Sequence, residues 1–197
     1  MIRTKFNYVL FIVIAIGAFV FFQSCGNDYV PKPRAYFRIA LPEKQYTKFD
    51  SCFPYKFEYP VYAKLVPDYN INSEPYWINI DFPEYTGRLH LSYKPIENNL
   101  KKYIEDSRNL ANKHIPKANA INQNIIINNK ERVFGLLYNI KGSEAASAYQ
   151  FYLTDSTNHF VRGALYFNLT PNNDSLVPVI EFIEEDINHL VNTFKWK

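Results

Sequence analysis

The 197 residues carry 22 basic and 19 acidic side chains, with 16 Tyr and 16 Phe but only 6 Gly and 2 Cys. So balanced a charge excludes a nucleic-acid-binding field, and so few cysteines exclude a disulfide-stapled or Cys-rich zinc scaffold. The aromatic content excludes a disordered stalk.

The amino terminus reads first. Arg3 and Lys5 precede any acidic residue, and the fifteen residues from Tyr8 to Phe22 are apolar but for Gly17. Phe22-Gln23-Ser24-Cys25 follows. A positive start, an apolar run and a small residue before a cysteine describe a lipoprotein signal over residues 1–24. Signal peptidase II would cut between Ser24 and Cys25, whose sulfur carries a diacylglyceryl thioether. Each buried CH₂ of such a lipid contributes roughly 0.8 kcal/mol, so three acyl chains anchor firmly. An uncleaved span is the weaker reading, because a bilayer core needs about 20 apolar residues. Gln23 is polar where a small or aliphatic residue is usual. Loss of the signal removes Arg3 and Lys5 and no acid, so the net charge falls from +3 to +1.

Residues 25–35 form a lipidated tether. Val30-Pro31-Lys32-Pro33 favours extended backbone, since each proline fixes its own φ and disfavours helix in the residue before it. Lys32, Arg34 and Arg38, interleaved with Tyr29, Tyr36 and Phe37, make a small basic-aromatic patch. It suits anionic headgroups or a partner, or only keeps the tether soluble. With Cys25 consumed by lipid, Cys52 stands alone, and a small buried hydrophobe is its expected role.

Residues 36–197 are expected to form one α+β domain. Tyr36–Ile39 reads as a first strand. Phe53, Tyr55, Phe57 and Tyr59 alternate as in a strand, and Pro54 and Pro60 suggest an edge. Tyr62–Val66 is a further short strand before a polar loop. Ile78, Ile80 and Phe82 share one face of a strand from Trp77, and Leu89, Leu91 and Tyr93 share one face of the next. Aligning those faces pairs Phe82 with Leu89, Ile80 with Leu91 and Ile78 with Tyr93. Asp81 then faces His90, Asn79 faces Ser92, and Trp77 faces Lys94.

Asn98–His114 is predicted helical, with Leu100, Tyr103, Ile104, Ser107, Leu110 and Ala111 on one stripe and Asn98 or Asn99 as cap. Strands follow at Asn124–Ile127, Arg132–Ile140, Ala148–Thr154 and His159–Leu169, joined by polar turns. A last helix starts near Asp174-Ser175, with Pro178 in its first turn. Its stripe is Leu176, Val179, Ile180, Ile183, Ile187, Leu190, Val191 and Phe194. Short turns between long strand runs imply a mostly antiparallel sheet flanked by two main helices. That pattern resembles the PsbP/Mog1-like sandwich, which implies architecture and not function.

Chemistry is sparse. Asp81, His90 and Ser92 on neighbouring strands have the residue types of a nucleophilic relay. Yet Ser92 is mid-strand, no glycine-rich loop offers an oxyanion hole, and a strand with one solvated face alternates polar residues anyway. His114 ends a helix, where a cation suits the dipole. His159 and His189 lie apart, and no spacing argues for a metal, so no metal, cofactor or catalytic residue is expected. The Trp77/Asn79/Asp81 and His90/Ser92/Lys94 face, with the Lys32–Arg38 segment, is the expected partner surface. The alternatives are a periplasmic hydrolase on that face, or a small-ligand carrier with a tyrosine-lined pocket.

Several stretches resemble one family. Pro31-Lys32-Pro33-Arg34-Ala35-Tyr36-Phe37-Arg38-Ile39, Phe57-Glu58-Tyr59-Pro60-Val61-Tyr62-Ala63-Lys64 and Ile78-Asn79-Ile80-Asp81-Phe82-Pro83 are similar to the GldD family of gliding-motility lipoproteins of Bacteroidota. So are His90-Leu91-Ser92-Tyr93-Lys94-Pro95, Tyr103-Ile104-Glu105-Asp106-Ser107-Arg108, Phe160-Val161-Arg162-Gly163-Ala164-Leu165-Tyr166-Phe167 and the closing Phe194-Lys195-Trp196-Lys197. The resemblance implies a non-enzymatic envelope lipoprotein, held to the membrane through Cys25 and partnered by gliding and type IX secretion proteins, not by nucleic acid. With Asp28 the one acid just after the cysteine, the domain is expected to face the periplasm, from the outer membrane in preference to the inner.

Overall fold

The computed structural model describes residues 39–168 and 173–197. Ten strands and two helices appear there in the order β1 (Tyr46–Phe49), β2 (Tyr55–Pro60), β3 (Lys64–Pro67), β4 (Ile78–Phe82), β5 (Gly87–Pro95), α1 (Leu100–Asn112), β6 (Ala120–Asn128), β7 (Val133–Lys141), β8 (Ser147–Thr154), β9 (His159–Phe167), α2 (Asn173–Thr193) and β10 (Lys195–Trp196). A seven-stranded sheet has the order β3-β4-β5-β9-β8-β7-β6, and a three-stranded one the order β1-β2-β10. Every pairing is antiparallel. This is the expected α+β class.

The core lies between the inner face of the large sheet, the small sheet and α2. Ile78, Ile80 and Phe82 of β4 meet Leu89, Leu91 and Tyr93 of β5 there, with Tyr55 and Phe57 of β2 and Ile183, Ile187 and Leu190 of α2. On the opposite, outer face, α1 packs on β8 and β9. A second small cluster of Ala111, Tyr138, Ile140 and Ala145 forms beneath it.

The β4–β5 register differs from expectation by two residues. Phe82 pairs with Gly87, Asp81 with Arg88, Ile80 with Leu89, Asn79 with His90 and Ile78 with Leu91. A two-residue slip keeps every side chain on its face, so periodicity cannot detect it. The connection decides it. Pro83–Tyr85 makes one 3₁₀ turn, Thr86 takes the left-handed conformation (φ 49°), and its N–H donates to the Pro83 carbonyl at 3.3 Å. The chain therefore reverses before Gly87.

Three further expectations change. The proposed strand at Tyr36–Ile39 lies outside the described residues up to Arg38, and Ile39 is not in a strand; the first described strand is β1. The Phe53–Tyr59 strand is central, not an edge, because Pro54 precedes its first paired residue and Pro60 occupies its last rung. Neither proline interrupts the ladder, and the Pro54 carbonyl accepts the Lys197 N–H at 3.0 Å beyond β10. Cys52, expected buried, is exposed in the irregular link between β1 and β2.

α1 starts after Asn99, as expected, but the Asn99 side chain does not cap it. That amide oxygen accepts the Glu97 N–H at 2.9 Å instead. α2 begins at Asn173, which places Pro178 in its second turn rather than its first.

Candidate functional site

The expected partner surface lies on the outer face of β4 and β5, continued across β9 and β8. Cross-strand pairing lines up Asn79, His90, Ala164 and Gln150 in one row and Ser92, Arg162 and Tyr152 in the next. The face is less open than expected: Asn79 is buried, and Trp77, Asp81, His90, Ser92 and Lys94 are half-buried. Lys32, Arg34, Arg38, Ser24 and Cys25 lie outside the described residues.

The corrected register dissolves the Asp81–His90–Ser92 constellation. Arg88 grips Asp81 in a bidentate pair, with Nε donating to Oδ1 at 2.6 Å and Nη2 to Oδ2 at 2.7 Å. His90 faces Asn79 and meets the Tyr166 ring edge-on at 5.8 Å. Burial, then the Arg88 charge, holds the His90 ring below its ordinary pKa. The Ser92 hydroxyl has only a long 3.5 Å contact with the Arg162 carbonyl. At the open end of the face Lys94 pairs with Glu74 and lies over the Trp77 ring. Trp77 Nε1–H donates to the Tyr93 carbonyl at 2.8 Å.

Arg162 stands at the centre of this face, and no motif singled it out. Its Nη2 donates to Gln150 Oε1 at 2.7 Å, while its Nε is buried without a hydrogen-bond partner among the described residues. No carboxylate pairs with it among the described residues, and burial pulls its pKa below the usual guanidinium range, with Tyr166 acting the other way. Gln150, its oxygen turned to Arg162, presents Nε2 to His114 Nε2 at 2.9 Å. His114 must therefore accept at Nε2 and is neutral, and burial followed by the Arg162 charge lowers its pKa. The expected cation at the end of α1 is replaced by a neutral ring. Arg88 is neutralised by Asp81, and Asp68 and Asp81 also act on His90, so Arg162 is the cation of this face without a carboxylate partner among the described residues.

The remaining histidines serve elsewhere. His159 Nδ1 meets the Tyr93 hydroxyl at 2.9 Å and its ring stacks on Trp196. His189 pairs with Glu58 at 2.8 Å and stacks on Tyr46 at 3.6 Å. Among the described residues, no three His, Cys, Asp or Glu side chains converge on a metal position, and no helix is long and apolar enough to cross a membrane. Of the tyrosines expected to line a pocket, Tyr55 is 0% exposed and fills the interior, whereas Tyr149 lines a groove of about 300 Å³ between the large sheet and α2 with Ile180, Glu181 and Glu184. A groove of about 400 Å³ at the carboxyl end of α2 is lined by Lys48, Asp50, Lys56, Glu58 and Lys195.

A second polar centre escaped the sequence reading. Asp186 of α2 is buried and accepts hydrogen bonds from Lys44, Tyr46 and Tyr62. The signal was present: position 186 falls between Ile183 and Ile187 within the apolar stripe, so an acid there is a buried acid.

Among solved structures, that of cyanobacterial PsbP (CyanoP) from Synechocystis sp. PCC 6803 is similar to this chain at 11% identity, covering 85% of this chain and 100% of that one, with a TM-score of 0.47. No curated protein matches the chain. The family model of the gliding motility lipoprotein GldD matches residues 26–196, from the residue after Cys25 through every strand and both helices described above. The chain belongs to the GldD family of gliding motility lipoproteins.

Proposed function

We propose that this lipoprotein is a non-enzymatic accessory factor of gliding motility and the linked type IX secretion machinery, and that it docks an acidic element of a partner protein on the outer face of β4, β5 and β9. Cys25, freed by cleavage after Ser24, carries the lipid, and the domain faces the periplasm from the outer membrane. One observation carries the docking surface: the half-buried Arg162 guanidinium has no carboxylate partner among the described residues. A half-buried cation without a counter-ion is a cost that a partner carboxylate relieves. Asn79, His90, Ser92 and Lys94 share this face with Arg162, and Lys32, Arg34 and Arg38 add basic charge to the stretch of sequence that follows Cys25. The hydrolase reading loses its acid, since Asp81 is committed to Arg88.

The test is carried out in full-length protein in the native organism. Arg162→Gln, and separately the pair His90→Ala and Lys94→Ala, should leave protein level and thermal unfolding near wild type while reducing gliding and crosslinked partner recovery at least several-fold. Ser92→Ala should glide normally. Normal motility and partner recovery in Arg162→Gln would remove this face from the function, and loss of motility in Ser92→Ala alone would revive catalysis.

A further inference from the structure

The two edges of the large sheet are built differently. β3 is four residues long, opens on Lys64 and closes on Pro67. Short length, lysine and proline all discourage another strand from pairing. β6, at the other edge, runs for nine residues, Ala-Ile-Asn-Gln-Asn-Ile-Ile-Ile-Asn, without a charge or a proline. It pairs with β7 alone, so one row of its backbone N–H and C=O groups has no strand partner among the described residues. Ile125 is 74% and Ile127 66% exposed on its outer side. On its inner side a groove of about 290 Å³ runs to α2, floored by Leu137 and Val191 and rimmed by Asn124, Asn128, Asn188 and Asn192.

We propose that β6 is the seam of a two-fold dimer of this chain, pairing antiparallel with β6 of a second copy about Asn124. Asn124 is the midpoint of the strand, so this register uses all of it. Ile121 then lies opposite the partner's Ile127, Gln123 opposite the partner's Ile125, and Asn124 opposite the partner's Asn124. On the outer face the exposed isoleucines of both copies join one apolar row. On the inner face the two Asn124 amides meet at the axis, where each can donate to and accept from the other.

Charge selects the occupant. An uncharged strand meets its own copy without like-charge repulsion, whereas it offers a charged foreign strand no complementary group. Closure fits as well. A two-fold contact uses the same patch on both copies, and the Lys64/Pro67 edge at either end of the joined sheet stops further addition.

Cysteine crosslinking of the full chain in its native envelope tests the pairing, in a Cys52→Ser background that removes the exposed thiol. Opposed residues of antiparallel strands have Cα atoms about 4.5–5.5 Å apart, inside the disulfide range of about 4.4–6.8 Å. Asn124→Cys should therefore give a disulfide-linked homodimer in most of the protein after mild oxidation. Gln123→Cys and Ile125→Cys should link little alone but should form a mixed dimer when co-expressed with different tags. Lys64→Cys, exposed on β3 at the opposite edge of the sheet, should stay monomeric. A monomeric Asn124→Cys chain overturns the proposal, as does equal crosslinking of Lys64→Cys, which marks random collision. An Asn124→Cys adduct whose mass is that of another protein overturns the second copy as occupant. Without any cysteine, Ile125→Lys should shift the detergent-solubilised full chain from dimer to monomer in sedimentation; a wild type that sediments as monomer ends the argument.

Discussion

Removing the Asp186 carboxylate should destabilise the fold more than any surface change. Its side chain is 1% exposed, and Lys44 Nζ reaches Oδ1 at 2.8 Å. The same ammonium donates to the Phe182 carbonyl at 2.5 Å and lies 3.3 Å from the centroid of the Phe182 ring. Tyr46 donates to Oδ1 at 3.0 Å, and Tyr62 donates to Oδ2. One buried anion thus ties α2 to the segment before β1, to β1 and to the link between β2 and β3. Breaking a buried pair by deleting one partner costs about 3–5 kcal/mol. Lys44 is 22% exposed and keeps its carbonyl and ring contacts, so Asp186→Ala belongs at the low end, about 3 kcal/mol. For a domain of this size that lowers Tm by about 6–12 °C. Lys44→Ala strands the carboxylate and should cost a similar amount. Urea and thermal unfolding of both single variants and the double variant should then give a coupling of about 2 kcal/mol. Additivity within about 0.5 kcal/mol would refute the clamp, as would a Tm loss of only a degree or two in Asp186→Ala.

Asp155 makes the fold acid-sensitive through the turn between β8 and β9. Burial works against its ionisation, but the N–H groups of His159, Thr157 and Asn158 and the Thr157 hydroxyl outweigh it and hold the carboxyl at about 2. The folded value lies below the ordinary 3.8, so this stabilisation is complete above about pH 5 and is lost as pH falls toward 2. Asp155→Asn should therefore cost about 1–2 kcal/mol at pH 7, and urea titrations should show the gap to wild type closing with acid; a gap flat from pH 6 to 2.5 contradicts the account. Gly135→Ala should destabilise more than Gly163→Ala in the same assay. A Cβ at 135 would lie 1.9 Å from the Tyr152 carbonyl oxygen, whereas at 163 it would lie 2.2 Å from the tip of the Phe151 ring, which can turn aside at about 1–3 kcal/mol. The reverse ranking would show that the β7–β8 approach is looser than described. Cys52 should react with a maleimide in the folded protein as fast as in urea, and strong protection of the thiol would restore the buried role.

Most elements were legible in the sequence because their physics is local. The β4 and β5 alternations, the α1 stripe and the polar turns between β6 and β9 each declare a period or a break within a few residues. What escaped depends on distant partners. β10 is two residues long and is a strand only because Lys56 and Tyr55 lie beside Lys195 and Trp196. β1 offers Tyr-Thr-Lys-Phe, of which only Phe49 is buried, so no alternation marks it. The two prolines flanking β2 argued for an edge, but they sit at the strand's ends, where a lost donor breaks no rung.

The site was legible to the same depth. Alternation identified which residues share the outer face of β4 and β5, but not which of them touch. A slip of two residues moves Asp81 from His90 to Arg88, and that slip exchanges a catalytic reading for a surface ion pair. Arg162 was hidden for the opposite reason. Along β9 it reads as one more polar residue between Val161 and Gly163, and nothing local says which groups lie near it. Only the sheet order, which sets β9 between β5 and β8, shows it walled by Ser92 and Tyr152, bonded to Gln150 and, among the described residues, left without a counter-charge. Unpaired charge is a property of the assembled sheet, and so is the free edge of β6. The two features on which the proposals rest therefore emerge only once the strands are in order.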